Sequence, residues 1–223
     1  MKMTNLLSWL VALAIPLALI GLAIRVMLSP LYYTIEYNMP YFPPDNYGFT
    51  KADRMKWAPY AVNYLTNSAD ISYLGDLKFD DGTPLYNERE LSHMDDVKRV
   101  TMGALNAWYV SLVLLAALGA WASFGGWWQD YRLGLMRGGW LMVGLAVAIG
   151  LIVVVGIVVD PNIFWNFFAG FHHLFFTGDS WLFLFSDTLI RLFPLRFWMD
   201  AFLFAAVIAL GGGMALGLGL KPR

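Results

Sequence analysis

The three histidines of this 223-residue chain are the side chains best suited to acid–base chemistry, because imidazole titrates near neutral pH. His93 lies in a charged stretch, NERELSHMDDVK, at residues 87–98. In a helix, Glu90, His93 and Asp96 are spaced three residues apart and share one face. A carboxylate there could fix the tautomer of His93 and raise its basicity. Alternatively, His93 is a solvated surface residue and Glu90 closes an Asn-x-x-Glu capping box.

The other two histidines are adjacent in the aromatic segment FHHLFF, so on a helix they point about 100° apart. His173 shares a helical face with Asn166, Gly170 and Thr177, which favours His173 as the exposed histidine and His172 as the buried one. A buried histidine in an aromatic environment is either a structural residue or a general base with a tuned pKa. Periodicity does not separate these two possibilities.

Several kinds of chemistry are disfavoured by residues that the sequence lacks. It contains no cysteine, which removes disulfides, thiolate ligands and cysteine nucleophiles. It has no G-x-S-x-G motif for serine catalysis. Glu90, Asp96 and the histidines could supply metal ligands, but neither HExxH nor a second Glu-x-x-His occurs. A net charge of −1 gives no electrostatic reason to expect a nucleic-acid partner.

The composition is that of a membrane protein, so membrane helices must position these histidines. Hydrophobic residues make up 59% of the chain and charged residues 14%, whereas about a quarter of a soluble domain is charged. A spanning helix needs roughly 20 mostly apolar residues. We therefore predict an α-helical polytopic membrane protein, a single membrane domain with four transmembrane helices. They cover residues 3–28, 100–125, 138–159 and 197–220.

The distribution of Lys and Arg predicts the orientation, because these residues favour cytoplasmic loops. The residues that indicate the cytoplasmic side are Lys2, Arg132, Arg137, Lys221 and Arg223. Both termini are then cytoplasmic, and residues 29–99 and 160–196 face outward. The reverse topology is the alternative, since Lys98 and Arg99 flank the second helix on the outer side.

The two outward segments differ in character. Residues 29–99 predict a small mixed α/β region, with a helix after the capping box at Thr50 and a possible hairpin turn at Asp80–Gly82. Residues 160–196 contain an aromatic stretch that is typical of an interfacial or re-entrant helix. Aromatic anchoring explains its Phe and Trp residues but not its two histidines.

A set of motifs now resembles a known family over essentially the whole chain. The motifs are NERELSHMDDV at residues 87–97, FHHLFF at 171–176, Trp181, DTLIRLFP at 187–194, and Gly48-Phe49-Thr50 with Arg54 upstream. Together with four helices in this order, they resemble the bacterial lipoprotein intramolecular transacylase (Lit) family. Each motif is weak alone, and their combination is specific.

This resemblance implies an enzyme of the bacterial cytoplasmic membrane with its active site at the outer leaflet. Its substrates are diacylated lipoproteins, whose sn-2 acyl chain moves to the α-amino group of their own N-terminal cysteine and leaves a lyso-form lipoprotein. The family's histidine pair maps to His93 and His172. His173 departs from the family pattern and is a spare. Membrane phospholipid is an expected partner, the protein is expected to be a monomer, and neither cofactor nor metal is required.

The residues fit such a reaction. An amine that attacks an ester needs a base and a donor to the developing oxyanion, and one substrate supplies both reacting groups, so no covalent enzyme intermediate is needed. We expect His93 as base, oriented by Glu90 or Asp96, and His172 as donor, although the two roles could be exchanged. His173 is a further supporting candidate. The expected substrate-binding or structural residues are Arg54, Phe168, Phe171, Phe175 and Trp181.

Two other functions stay open at this point. The protein could be a non-catalytic membrane protein that binds a lipid or a partner through its outward region. It could also be a membrane metalloenzyme, since histidine and carboxylate side chains are generic metal ligands.

Overall fold

The structure, a computed structural model, describes residues 3–160, 162–178 and 180–220, and in these ranges the chain is helical. Lys2, Lys221 and Arg223, which contribute to the predicted orientation, lie outside the described residues. The helices are α1 (Met3–Met27), α2 (Pro30–Asn38), α3 (Lys51–Tyr64), α4 (Ser72–Gly75), α5 (Glu88–Phe124), α6 (Trp128–Val159), α7 (Ile163–Phe175), α8 (Thr188–Leu192) and α9 (Leu195–Gly219).

Four of these helices are long and apolar enough to cross a membrane, namely α1, α5, α6 and α9. This confirms the predicted class and the predicted number of spanning helices. Helix α5 has 37 residues, well beyond the roughly 20 that a span needs. Its charged residues lie between Glu88 and Arg99, and an apolar run starts at Val100. We therefore take residues 88–99 as an extension that precedes the membrane-spanning part.

The chain divides into two compact units. The first unit comprises Met1–Arg25, Ala104–Pro161 and Leu203–Arg223. Glycines let its helices approach closely: a Cβ on Gly134 of α6 would lie 2.5 Å from the carbonyl oxygen of Ser8 on α1. Close backbone contact of this kind is the usual way in which membrane helices associate, because lipid provides no hydrophobic driving force between them.

The second unit comprises Val26–Gly103 and Asn162–Phe202, and it contains all three histidines. Its hydrophobic core joins residues of α3, α4, α5 and α8. Its largest fully buried members are Tyr64, Leu74, Leu85 and Leu192. Helix α3 begins where predicted, because Thr50 and Asp53 form a reciprocal capping box.

The predicted mixed α/β character of residues 29–99 is wrong. Among the described residues there is no strand, only an isolated antiparallel bridge between Lys78 and Pro84. The turn does form, with Gly82 at a φ of 84°. The pairing stays short because Pro84 has no N–H to donate, and Leu85 and Tyr86 turn into the helical core instead.

Candidate functional site

His93 and His172 come together inside the second unit. His93 lies on the charged extension of α5 and His172 near the end of α7. Their ring centroids are 6.0 Å apart and their planes are inclined by 24°. Both side chains are buried, with exposed fractions of 7% and 9%. Two elements nearly eighty residues apart in sequence therefore present a histidine pair, as required for two groups that act on one substrate.

Aromatic rings surround the histidine pair. Phe176 and Phe183 stand edge-on to the His93 ring at centroid distances of 5.1 Å and 5.3 Å. The His172 ring contacts Phe168 at 4.2 Å and Trp181 at 4.7 Å. This aromatic surrounding accounts for the burial of both imidazoles.

The hydrogen bond of His172 assigns its tautomer. Its Nδ1 lies 2.8 Å from the carbonyl oxygen of Phe168, one turn earlier on α7. A carbonyl oxygen can only accept, so in neutral His172 the proton is on Nδ1, which donates it to Phe168. The lone pair is then on Nε2, where it is available to take a proton from a substrate.

His93 differs from His172 in having no fixed partner at Nδ1. This nitrogen is fully buried, and the described residues provide no hydrogen-bond partner for it. Buried polar atoms are nearly always hydrogen-bonded, so an unpartnered one marks a place where a ligand or substrate group could bind. His93 is thus held by ring packing and not by a carboxylate.

The predicted orienting role of Glu90 does not match the bonds that its side chain makes. One oxygen accepts the backbone N–H of Asn87 at 2.9 Å, and the other accepts that of Leu189 at 2.7 Å. The Asn87 side chain in turn accepts from the backbone N–H of Glu90, which completes the capping box. Glu90 therefore joins the start of α5 to α8, and both its oxygens are occupied.

Asp96 is also engaged away from the histidines. It forms an ion pair and a hydrogen bond with the Arg99 side chain, one turn along α5. Asp95 shares the same arginine at 3.3 Å. Asp96 therefore acts on His93 at most through its charge, as one member of a partly exposed ion-pair cluster.

Burial controls the protonation of the pair. It lowers the pKa of His172, and the hydrogen bond to Phe168 only partly opposes it. Burial, followed by the neighbouring His172, lowers the pKa of His93 to about 4. Burial also raises the pKa of Glu90, against the effect of its backbone hydrogen bonds. Both imidazoles are therefore neutral at neutral pH, as a base and a neutral donor must be.

Three further candidates on α7, His173, Phe171 and Phe175, lie at the exposed edge of the histidine pair. His173 is exposed, as predicted, and its ring meets the edge of Trp181 at 5.3 Å. Phe171 and Phe175 are half exposed and pack on each other at 4.9 Å, with Phe171 also edge-on to His172.

Arg54 is buried, and its hydrogen bonds run to the carbonyl oxygens of Pro43 and Arg191 instead of to the histidine pair. Two further residues shape the site. Phe176 lies four residues after His172 in the FHHLFF motif, where helical spacing places it beside that histidine, and its ring meets both histidines. Sequence reasoning missed Phe183, because it follows α7 in a loop and carries no periodic signal.

Metal binding finds no support in the geometry. Within 3–160, 162–178 and 180–220, no group of three or more His, Asp or Glu side chains is arranged to hold a metal ion. Glu90 and Asp96, the carboxylates considered as ligands, are occupied by backbone N–H groups and by Arg99.

Comparison with known proteins decides the family. The model of the lipoprotein intramolecular transacylase Lit family matches residues 9–198. The chain belongs to this family. It is therefore an enzyme of the transferase class, a lipoprotein intramolecular transacylase, as the sequence resemblance implied.

Relatives with known sequence or structure extend this similarity. An uncharacterized protein of Aquifex aeolicus (strain VF5) is 28% identical over 207 residues, which cover 93% of this chain and 89% of that protein. The in meso structure of the membrane-integral transacylase Lit from Bacillus cereus superposes with a TM-score of 0.76 at 21% identity, over 96% of this chain and 92% of that one.

A Bacillus cereus Lit variant with a histidine-to-alanine substitution gives a TM-score of 0.69 at 21% identity and covers 98% and 92% of the two chains. At this identity the structures establish the shared membrane-integral fold.

Proposed function

We propose that this Lit-family enzyme moves the sn-2 acyl chain of a diacylglyceryl-cysteine lipoprotein onto the α-amino group of the same cysteine. The observation that carries this proposal is the buried histidine pair, in which His172 has a free Nε2 lone pair and His93 has an unpartnered nitrogen. The rings are 6.0 Å apart, so both can reach one reacting group.

His172 is the general base. Its Nδ1–H is held by Phe168, so Nε2 faces the substrate without a proton. It removes a proton from the attacking α-amino nitrogen as the new C–N bond forms. This reverses the roles expected from the sequence, where His93 was the base, because the fixed tautomer belongs to His172 and the carboxylates near His93 are otherwise engaged.

His93 is the hydrogen-bond donor. In its neutral form it supplies one N–H, which stabilises the negative charge on the former ester carbonyl oxygen. When the bond to the sn-2 oxygen breaks, the proton held by His172 passes to that oxygen. The products are an amide and a free hydroxyl, so protons and bonds balance without an additional reactant.

The substrate and the aromatic surroundings supply the rest of the rate enhancement. Amine and ester belong to one molecule, so their encounter is intramolecular and needs no acyl-enzyme. Phe168, Phe176 and Trp181 exclude water, which would otherwise hydrolyse the ester, and offer apolar surface to the acyl chain.

The site is proposed to face the outer leaflet of the bacterial cytoplasmic membrane, with both termini in the cytoplasm. The support is the excess of Lys and Arg in the short segments at the opposite ends of the predicted spans. Diacylated lipoproteins present their N-terminal cysteine at this surface, so substrate and histidine pair would share one depth.

Mass spectrometry of a diacylated lipoprotein, incubated with purified enzyme in lipid nanodiscs, tests the function. An acyl group on nitrogen protects the N-terminus from amine-reactive reagents and survives mild alkaline cleavage of esters. We expect N-acylated product with the wild-type enzyme, and its loss with both His93→Ala and His172→Ala. His173→Ala is the matched control, since its side chain is exposed beside the same site.

Wild-type transfer by both His93→Ala and His172→Ala would refute the proposed mechanism. Absence of transfer by folded wild-type enzyme across several lipoproteins would refute the function and favour a non-catalytic lipid-binding role. Loss of transfer on treatment with a strong chelator, with recovery on addition of a metal, would favour the metalloenzyme.

A further inference from the structure

A cavity lies in the second unit, between the end of α2 and the start of α3. Its volume is about 340 Å³, within the range of roughly 300–1,000 Å³ found for small-molecule sites. The histidines do not line it. Tyr37, Phe42 and Phe49 form apolar walls, and Lys51 and Arg54 are the basic residues of the lining.

Arg54 is an unusual residue to find in this position. Its exposed fraction is 5%, yet in the part of the chain that the structure describes no carboxylate lies within ion-pair distance of its guanidinium. It donates to the carbonyl oxygens of Arg191 at 3.0 Å and Pro43 at 2.8 Å, and it lies over the Phe42 ring. Buried arginines usually pair with an anion, so the cavity contains an incompletely neutralised positive charge.

The acid in the cavity lining, Asp45, acts on Arg54 only through its charge and forms its ion pair with another arginine. Asp45 is held by Arg191 at 3.1 Å and accepts the backbone N–H groups of Tyr47 and Phe49. Lys51 is exposed and donates to the neutral side chain of Asn38. The lining thus presents two cationic side chains, while its carboxylate is neutralised by an arginine.

The surroundings indicate an amphiphilic anion. Helix α2 begins three residues after the end of α1, a helix long and apolar enough to span the membrane. It therefore starts close to the membrane boundary, since three residues extend no more than about 11 Å. Leu31, Ile35 and Met39, four residues apart, form an exposed apolar stripe, and Met39 also lines the cavity.

We propose that this cavity binds the phosphate of a membrane phospholipid, with Arg54 and Lys51 as its ligands and the acyl chains along the stripe of Leu31, Ile35 and Met39. Guanidinium and ammonium groups are the usual phosphate ligands of proteins. The apolar stripe favours a lipid over free phosphate or a peptide carboxylate, because neither of those would cover it. The cavity would hold a bound phospholipid on the enzyme, at a site separate from the histidine pair.

Lipid binding to the purified full-length protein in detergent tests this site. Native mass spectrometry gives apparent affinities for dioleoyl-phosphatidylglycerol and for dioleoylglycerol, which has the same chains without phosphate. We expect the phospholipid to bind more tightly, and Lys51→Gln and Arg54→Lys to weaken it about 10-fold without changing diacylglycerol binding. Lys56→Gln is the control, because Lys56 is exposed on the same helix and pairs with Asp80 outside the cavity.

Three outcomes would contradict the proposed phospholipid site. Equal binding of the two lipids to the wild type would overturn the phosphate assignment. If Lys51→Gln and Lys56→Gln behaved alike, the cavity charge would be irrelevant and the site would be refuted, even if Arg54→Lys failed to fold. Displacement of the phospholipid by inorganic phosphate or by an acidic peptide at similar concentrations would replace the lipid with a soluble anion. None of these outcomes depends on acyl transfer.

Discussion

Glu90 and His93, one turn apart on α5, are both buried but differ in their hydrogen bonds. Glu90 has an exposed fraction of 1%, and both its oxygens accept backbone N–H groups. His93 is almost as buried, but its Nδ1 has no partner among the described residues. A buried polar group with every bond made stabilises a fold, whereas one left with a free bond is available to a substrate. On the same helix, Glu90 therefore stabilises the fold, whereas His93 is available for the reaction.

Replacement of the proposed base should give the largest effect. His172→Gln keeps a polar side chain of similar size but cannot take up a proton, so we expect the rate of acyl transfer to fall about 10²- to 10⁴-fold. His173→Gln, its neighbour in sequence, should change the rate less than about 3-fold because it is exposed. Single-turnover transfer followed by mass spectrometry measures both. Equal losses in the two variants would remove the distinction between these histidines.

Glu90 should act on stability instead of on rate. Glu90→Ala leaves the backbone N–H groups of Asn87 and Leu189 without acceptors. The loss costs about 1–3 kcal/mol at buried Leu189 and less at Asn87, which is exposed and can bond to water. Glu90→Gln keeps one acceptor oxygen and should lose less. Thermal unfolding in detergent measures the change, and transfer assayed well below the transition should stay near wild type. A rate loss in fully folded Glu90→Gln would show that Glu90 also serves the chemistry.

Acid should inactivate the enzyme below the ordinary titration range of histidine. A base acts in its neutral form, and burial lowers the pKa of His172. Once corrected for protonation of the substrate's α-amino group, whose ordinary pKa is about 7.7–8.0, the rate should hold as pH falls past about 6.5 and drop only when the folded pKa of His172 is reached. Unfolded histidine binds its proton first, so stability should also decrease as pH falls in this window. A rate–pH profile and a melting series provide the two measurements. A midpoint above 6.5 in the corrected rate would contradict the buried base.

Asp96 should give the smallest effect. Its carboxylate pairs with Arg99 near solvent, so Asp96→Asn should change the transfer rate less than about 3-fold and stability by less than about 1 kcal/mol. Asp95→Asn is the matched variant, since Asp95 shares the same arginine. A rate loss that is large for Asp96→Asn and absent for Asp95→Asn would restore Asp96 as the group that orients His93.

Local sequence patterns predicted much of the site's framework. The capping boxes at Thr50 and Asn87 form as their spacing indicates, because a cap involves only residues within one turn. The burial of His172 and the exposure of His173 also follow from helical periodicity. The predicted turn at Asp80–Gly82 forms, but the predicted strand content does not, because strand pairing depends on distant packing and the helical core here takes up Leu85 and Tyr86.

The sequence by itself determined the membrane class, the four apolar helices and the residue types able to do acid–base chemistry, since these depend on composition and on short-range spacing. Only the tertiary structure decided what each polar group is left free to do. The second acceptor of Glu90 comes from Leu189, and the ring that meets His93 comes from α7. Such partners are distant in sequence, so no local pattern reveals that Glu90 is fully bonded while a buried nitrogen of His93 remains for a substrate.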